Sequence, residues 1–462
     1  MAEQAKFLEG SLLRHIAVMS LTSSVGLMAV FAVDFVDMIF IAMLGKAELA
    51  AAIGYAGAIL FFTGSFGIGM AIACGALVAR ALGGADPDLA RRRATSSLIL
   101  GFCFGAVFAA VVWTFVPELV ALLGATGETK ALAIHYMRII LPSLPLLLIG
   151  MVGGAILRSH GDARRSMNVL IWGGVVNAVL DPVLIFGLGL DLTGAALSSV
   201  AARFVIAGLA LHAIQRHHGG FAHPGFAGIA ADFRPVFAIA LPAILTQLAT
   251  PFGQAFVTRA MAEYGEEAVA GMAIVGRLTP VAFAIIFALS GAVGPIIGQN
   301  AGAGDRERVR RTFTEALLFT AGVTFLVSAA LFALREPLAW LFELEDGIAR
   351  TLVFLFAGPL SLLWFFNGAL FVANAAFNNL GHPFYSTLTN WGRHTLGTIP
   401  PVMLGAALLG APGVLVGQAA GGAAFALVAV WMARRVIAAG EAAPPEPFAR
   451  EGRLLRLIHL RR

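Results

Sequence analysis

Apolar residues run along this chain in stretches of 20 residues and more, separated by short clusters of charge; GFCFGAVFAAVVWTFVP at 101–117 is one such stretch. The hydrocarbon core of a bilayer, about 30 Å thick, is crossed by about 20 helical residues, and a helix satisfies its own backbone polar groups there. The pattern predicts helices over 12–44, 48–82, 91–116, 131–157, 166–189, 193–213, 233–262, 267–301, 310–333, 348–377, 384–408 and 411–438. The expected fold class is therefore an all-α membrane protein with twelve transmembrane helices.

The polar connections fix an orientation. The second, fourth, sixth and eighth carry Arg80, Arg91, Arg92 and Arg93; Arg158, Arg164 and Arg165; Arg216 and Arg234; and Arg306, Arg308, Arg310 and Arg311. The odd-numbered connections carry Glu118, Glu128, Asp191, Glu266, Glu267, Glu343, Glu345 and Asp346 instead. Basic loops stay on the cytoplasmic side, so both termini are expected there, with the chain in the inner membrane. The start, MAEQAKFLEGSLLRHIAVMSL, has no short apolar region followed by a cleavage site and reads as retained.

Laying the chain over itself with a shift of about 219 residues reveals an internal repeat. GALVARALGGADPDLARRR (75–93) falls on GPIIGQNAGAGDRERVRRT (294–312), Trp172-Gly173 on Trp391-Gly392, and Gly194 on Gly413. Each half holds six helices, so the halves share orientation, as parallel repeats do, and a cavity between them suits alternating access. The expected organisation is an N-terminal lobe (1–213), a cytoplasmic linker loop (214–232), a C-terminal lobe (233–438) and a basic tail (439–462). His217, His218 and His223 are read as part of a solvated linker rather than as metal ligands.

Composition narrows the function classes. The chain is 59% hydrophobic and 12% charged, and its net charge of +5 is explained by the membrane-facing loops, not by nucleic acid. Cys74 and Cys103 lie inside predicted helices without metal-ligand spacing. The many glycines, spaced GxxxG at Gly101/Gly105 and Gly150/Gly154, suit close helix packing. No HExxH, paired intramembrane histidine or GxSxG with a partner suggests an enzyme.

The halves differ in their carboxylates. Asp34 and Asp37 share a face of the first helix, and Asn177 and Asp181 share a face of the fifth. With a shift of 220 residues Gln254 and Val257 fall opposite Asp34 and Asp37, and with one of 219 Pro400 falls opposite Asp181. A carboxylate at the bilayer centre costs about 2.5–3.5 kcal/mol, which marks these positions as functional candidates. Without a cation beside them they can exchange a proton; with Asn177 and Ser198 or Ser199, the same oxygens suit Na⁺. Arg203 is the one basic residue near enough in sequence to pair with them instead. Trp364, Phe365, Asn367, Asn374, Gln254 and Arg393 are candidate lining of a substrate cavity, although Arg393 at this stage fits a side chain reaching to headgroups equally well.

With these residues in view, the chain resembles the multidrug and toxic compound extrusion (MATE) transporters, and in particular their DinF-like bacterial branch. The resemblance rests on the doubled GxxGAGD-like loop, the NxxLDP segment of the fifth helix and NGALFVANAAFNNLGHP at 367–383. It implies an N-lobe cation or proton site at Asp37, Asn177, Asp181 and Ser198 or Ser199. Asp34 stands where related sequences often have Asn. The C-lobe acids of the NorM-like branch have no counterpart, Thr250 and Asn367 or Asn374 standing in their place. The activity implied is H⁺- or Na⁺-coupled export of amphipathic, often cationic organic compounds by a monomer among membrane lipids, with no cofactor beyond the coupling ion. A lipid-linked intermediate flippase of the same superfamily is the alternative.

Overall fold

The computed structural model describes residues 5–440; nearly all of the expected basic tail lies outside them. The helices are α1 (Leu12–Met43), α2 (Ala47–Gly83), α3 (Pro87–Leu122), α4 (Gly127–Ile140), α5 (Leu144–Ser159), α6 (Ala163–Pro182), α7 (Asp191–His217), α8 (Gly225–Ala262) and α9 (Glu266–Ala282). They continue with α10 (Ala284–Gly302), α11 (Arg306–Ala333), α12 (Arg335–Leu341), α13 (Ile348–Leu355), α14 (Trp364–Asn379), α15 (Pro383–His394), α16 (Ile399–Leu409) and α17 (Ala411–Ala439). No strand occurs among the described residues.

The twelve expected segments are all helical, and four of them are broken. Pro142 and Pro145 divide the fourth into α4 and α5 across a 3₁₀ turn at Leu141–Ser143, because proline has no N–H to continue the ladder. The eighth divides into α9 and α10 at Phe283. The tenth widens into a π-helical turn at Phe356–Leu360 around Pro359, and its two parts bend by 60°. The eleventh breaks between α15 and α16 at 395–398, beside Gly397 and the Pro400-Pro401 pair.

Contacts group the chain into two units, one of them containing Thr22–Ala240 and the other Phe7–Leu21 with the chain from Leu241 onward. In the first, α2, α3 and α5 enclose a core of Met70, Leu77, Leu144, Leu148, Val152 and Ile156. An aromatic run lies against it, with Phe66 and Phe108 centroids 4.0 Å apart. In the second, α10, α11 and α14 surround Phe283, Ile286 and Phe356. The expected packing role of glycine is visible at Gly173 and Gly413: an added Cβ would strike Ile206 at 2.3 Å in one case and the Gly405 carbonyl oxygen at 1.8 Å in the other.

The repeated acidic loop has a local cause. Asp86 accepts from the Leu89 N–H at 2.9 Å and Asp305 from the Arg308 N–H at 2.9 Å, so each caps the helix that follows. The residue before each is left-handed, Ala85 at φ 56° and Gly304 at φ 75°. Gly161-Asp162 repeats the device before α6, where Asp162 accepts from Arg165 N–H at 3.1 Å.

The linker expected as a loop over 214–232 is mostly helix: α7 runs to His217 and α8 starts at Gly225. Its short bend, exposed at His217, Gly219 and His223, is also pinned. Arg92 and Ser96 hold buried Asp232 at 3.2 and 2.8 Å, the Ala222 N–H donates to Thr95, and His218 contacts Asp162 at 3.0 Å.

Candidate ion-coupling site

Asp37 of α1, Asn177 and Asp181 of α6, and Ser198 and Ser199 of α7 converge within the first unit. The one-turn spacing of Asn177 and Asp181 sets both on the face of α6 that packs on α7, and both are buried. Pro182 follows, and the next turn, Val183–Gly187, is π-helical, with Leu188 N–H bonding five residues back to Val183. Such single π turns open a helix where a site needs its backbone displaced.

The polar contacts are specific. Ser198 donates its hydroxyl to Asp181 Oδ1, while the second Asp181 oxygen is buried with no donor. Asn177, oriented so that its nitrogen and not its oxygen meets the carboxylate, donates to both Asp37 oxygens at 3.0 and 3.1 Å and accepts from Ser199 N–H at 3.2 Å. The Asp37 carboxyl lies close enough to Asp181 for the two charges to act on each other. Two carboxylates this close repel unless a proton or a cation lies between them. Asp34, one turn back on α1, is exposed.

Arg203 does not supply that cation. Its guanidinium donates to the Ile140 carbonyl at 3.1 Å and to Ser143 Oγ at 2.9 Å. The proline-induced break between α4 and α5 explains this, because Leu144 N–H turns to Leu141 and leaves the Ile140 carbonyl free. Sequence reasoning missed Tyr136 of α4, a buried phenol that lies beside Ser199. A lone tyrosine within the apolar run 131–157 was the available signal.

The second-unit candidates do not form one cluster of this kind. Trp364 stacks on Phe283 at 4.6 Å and Phe365 packs edge-on against Phe366, so both rings serve packing contacts. Asn374 accepts from Asn390 at 3.1 Å, Gln254 accepts from Gln418 at 3.5 Å, and Arg393 donates to Asn367. The expectation that Arg393 fits a headgroup-reaching side chain is corrected: it turns inward to α14. No His, Cys, Asp and Glu group that could hold a metal occurs among the described residues.

The profile of the MatE family matches residues 23–183 and again 242–401, at the offset of the internal repeat. The chain belongs to the MatE family. A FAD transporter from Shewanella oneidensis is 28% identical over 430 residues, covering 90% of this chain and 93% of its own. The multidrug export protein MepA of Staphylococcus aureus is 27% identical over 351 residues, 74% of this chain and 73% of its own. Among solved structures, a mutant MATE transporter from Vibrio cholerae superposes with a TM-score of 0.86 at 24% identity, covering 92% of this chain and 96% of that one. A Pyrococcus furiosus transporter of the MOP superfamily gives 0.87 at 22% identity, covering 94% and 98%. The twelve-helix MATE fold and the standing of this chain as a multi-pass membrane transporter, not an enzyme, follow.

Proposed function

We propose that this MATE protein is a secondary antiporter that exports amphipathic, often cationic organic compounds in exchange for inward-moving H⁺ or Na⁺. The observation that carries the reading is the Asp37–Asn177–Asp181–Ser198 cluster, in which two carboxylates meet with no basic side chain between them. One proton shared by the two acids removes half of their charge. Na⁺ is also matched by the donor set, since Asp37, Asp181, Ser198 and Ser199 offer oxygen only and one Asp181 oxygen has no donor. Binding of either ion halves the charge of the pair and relieves its repulsion, and substrate release on the opposite side completes an alternating-access cycle.

The driving force suffices. A single charge moving through about 100 mV releases about 2.3 kcal/mol, more than the 1.4 kcal/mol that a tenfold concentration ratio demands. The names of the relatives, one a multidrug exporter and one a FAD transporter, support a small organic substrate. The chain would lie in the inner membrane with both termini cytoplasmic, given its arginine-bearing connections. A flippase for lipid-linked pyrophosphates is less favoured, because it needs clustered cations and Arg203 is bound to Ile140 and Ser143.

The test is reconstitution in liposomes under a pH gradient alone and a Na⁺ gradient alone. Gradient-driven movement of a fluorescent organic cation under one of them is expected. No movement under either would overturn the antiporter reading.

A further inference from the structure

The second unit holds a cation that the coupling mechanism does not use. Arg393 lies ten residues into α15, about 15 Å of helix from its start, and its partner Asn367 lies about 18 Å from the end of α14, so the contact sits near mid-membrane depth. The half-buried guanidinium donates to the Asn367 amide oxygen, and no Asp or Glu pairs with it among the described residues. Isolated charges at that depth are expensive and mark ligand or ion paths by default.

Close contacts surround it, and the polar side chains nearby on α8 and α17 are amides. Gly422 of α17 faces the guanidinium, and a Cβ there would stand 3.4 Å from Nε. One turn earlier Gln418 bonds Gln254 of α8 at 3.5 Å. His394, whose Nδ1 is buried without a partner, packs on Gly253, where an added Cβ would lie 2.3 Å away. Arginine presents several donors in a planar fork that fits a carboxylate or phosphate, and one bond to an amide leaves most of them unused.

From this geometry we infer that Arg393, with Asn367 and Gln418, forms an oxyanion subsite that receives the carboxylate or phosphate of a soluble organic substrate. The inference rests on the export reading above and adds to its substrates soluble organic compounds bearing such a group. Substrates with only a positive charge gain nothing from it.

The experiment measures equilibrium binding of FAD to the purified full-length protein in neutral detergent, alongside transport of FAD and of the cation ethidium in phosphatidylcholine liposomes. Saturable FAD binding is expected in the parent. Arg393→Gln should weaken it at least about tenfold, and Arg393→Lys should fall between, keeping charge without the fork. Asn367→Asp supplies an internal counter-ion and should abolish FAD binding in a protein that folds at least as stably, which guards against misfolding of the Gln variant. The inference is overturned if the parent does not bind FAD or if either the Arg393→Gln or the Asn367→Asp variant binds it normally. Loss of FAD binding on adding phosphatidylglycerol would assign the site to a lipid headgroup and overturn it too. Failure of the export reading shows separately, as ethidium transport that no gradient drives.

Discussion

Ser198 of α7 donates its hydroxyl to one oxygen of Asp181 on α6, and the other oxygen of that carboxylate is buried without a donor. Asp37 approaches the same residue from α1, held at both of its oxygens by Asn177. The first unit therefore gathers two acids from helices distant in sequence around a place for a single positive charge. In the proposed cycle, what binds there would set how α1 sits against α6, since repulsion between the acids grows when the site empties.

Replacing either acid by Asn should thus separate coupling from folding. Asp37→Asn and Asp181→Asn keep size and hydrogen bonding but cannot ionise, so gradient-driven export should fall by about tenfold or more. Both should remain inserted and unfold at or above the parent's temperature, because a buried charge without a basic partner is costly. Transport in liposomes with thermal unfolding in detergent checks this. Normal transport by both variants would remove the cluster from the mechanism.

Arg203 provides the control. If its role is to answer the Ile140 carbonyl freed by the break, Arg203→Met should destabilise the protein by about 1–3 kcal/mol and leave the choice of coupling ion as in the parent. Ser143 Oγ, 2.7 Å from that carbonyl, limits the damage. A variant that folds normally yet loses its dependence on the ion gradient would make Arg203 the counter-charge after all.

Much of this was legible in the sequence, for physical reasons that also set the limits. Asn177 and Asp181 stand one turn apart, so helical periodicity alone places them on one face. The repeat drew attention to Asp37 because Val257 occupies the equivalent place. Tyr136, in contrast, meets Ser199 only through the packing of α4 on α7, and no local pattern encodes such a contact. The destination of Arg393 was hidden for the same reason. In the arginine-rich loops the basic residues stood out, while Asp86, Asp162 and Asp305 carried the capping signal. The linker misled because its glycines and histidines read as a loop, although most of its residues continue α7 and α8.

Topology yields a third expectation. His217 is exposed at the end of α7, beside a bend tied to the arginine-rich start of α3. With both cysteines replaced, His217→Cys should react with a membrane-impermeant maleimide only after the cytoplasmic side is opened. Labelling from the outside of intact cells would invert the proposed orientation.

The last expectation concerns acid stability at the connection between α5 and α6. Burial alone would raise the Asp162 carboxyl, but hydrogen bonds from His218 and Arg165, with the Arg165 charge and backbone N–H, outweigh it and hold the group below the usual carboxylate range. A folded-state value below the unfolded one means that the ionised form stabilises the fold. That contribution is complete above the unfolded value of about 3.9 and disappears as pH falls through the folded one. Asp162→Asn keeps a side-chain oxygen for the Arg165 N–H but loses the charge that Arg165 and His218 engage. Because Arg165 is itself exposed, the loss at neutral pH should be only about 1 kcal/mol, no more than about 2 °C in unfolding temperature. The gap between parent and variant should then narrow as pH drops below about 4, the parent losing stability that the variant never had. Unfolding temperatures of the two proteins in detergent between about pH 3 and pH 8 decide the matter. A gap that widened in acid, or a variant equal to the parent at pH 7, would mean that the aspartate charge contributes nothing here and that the cap alone holds the turn.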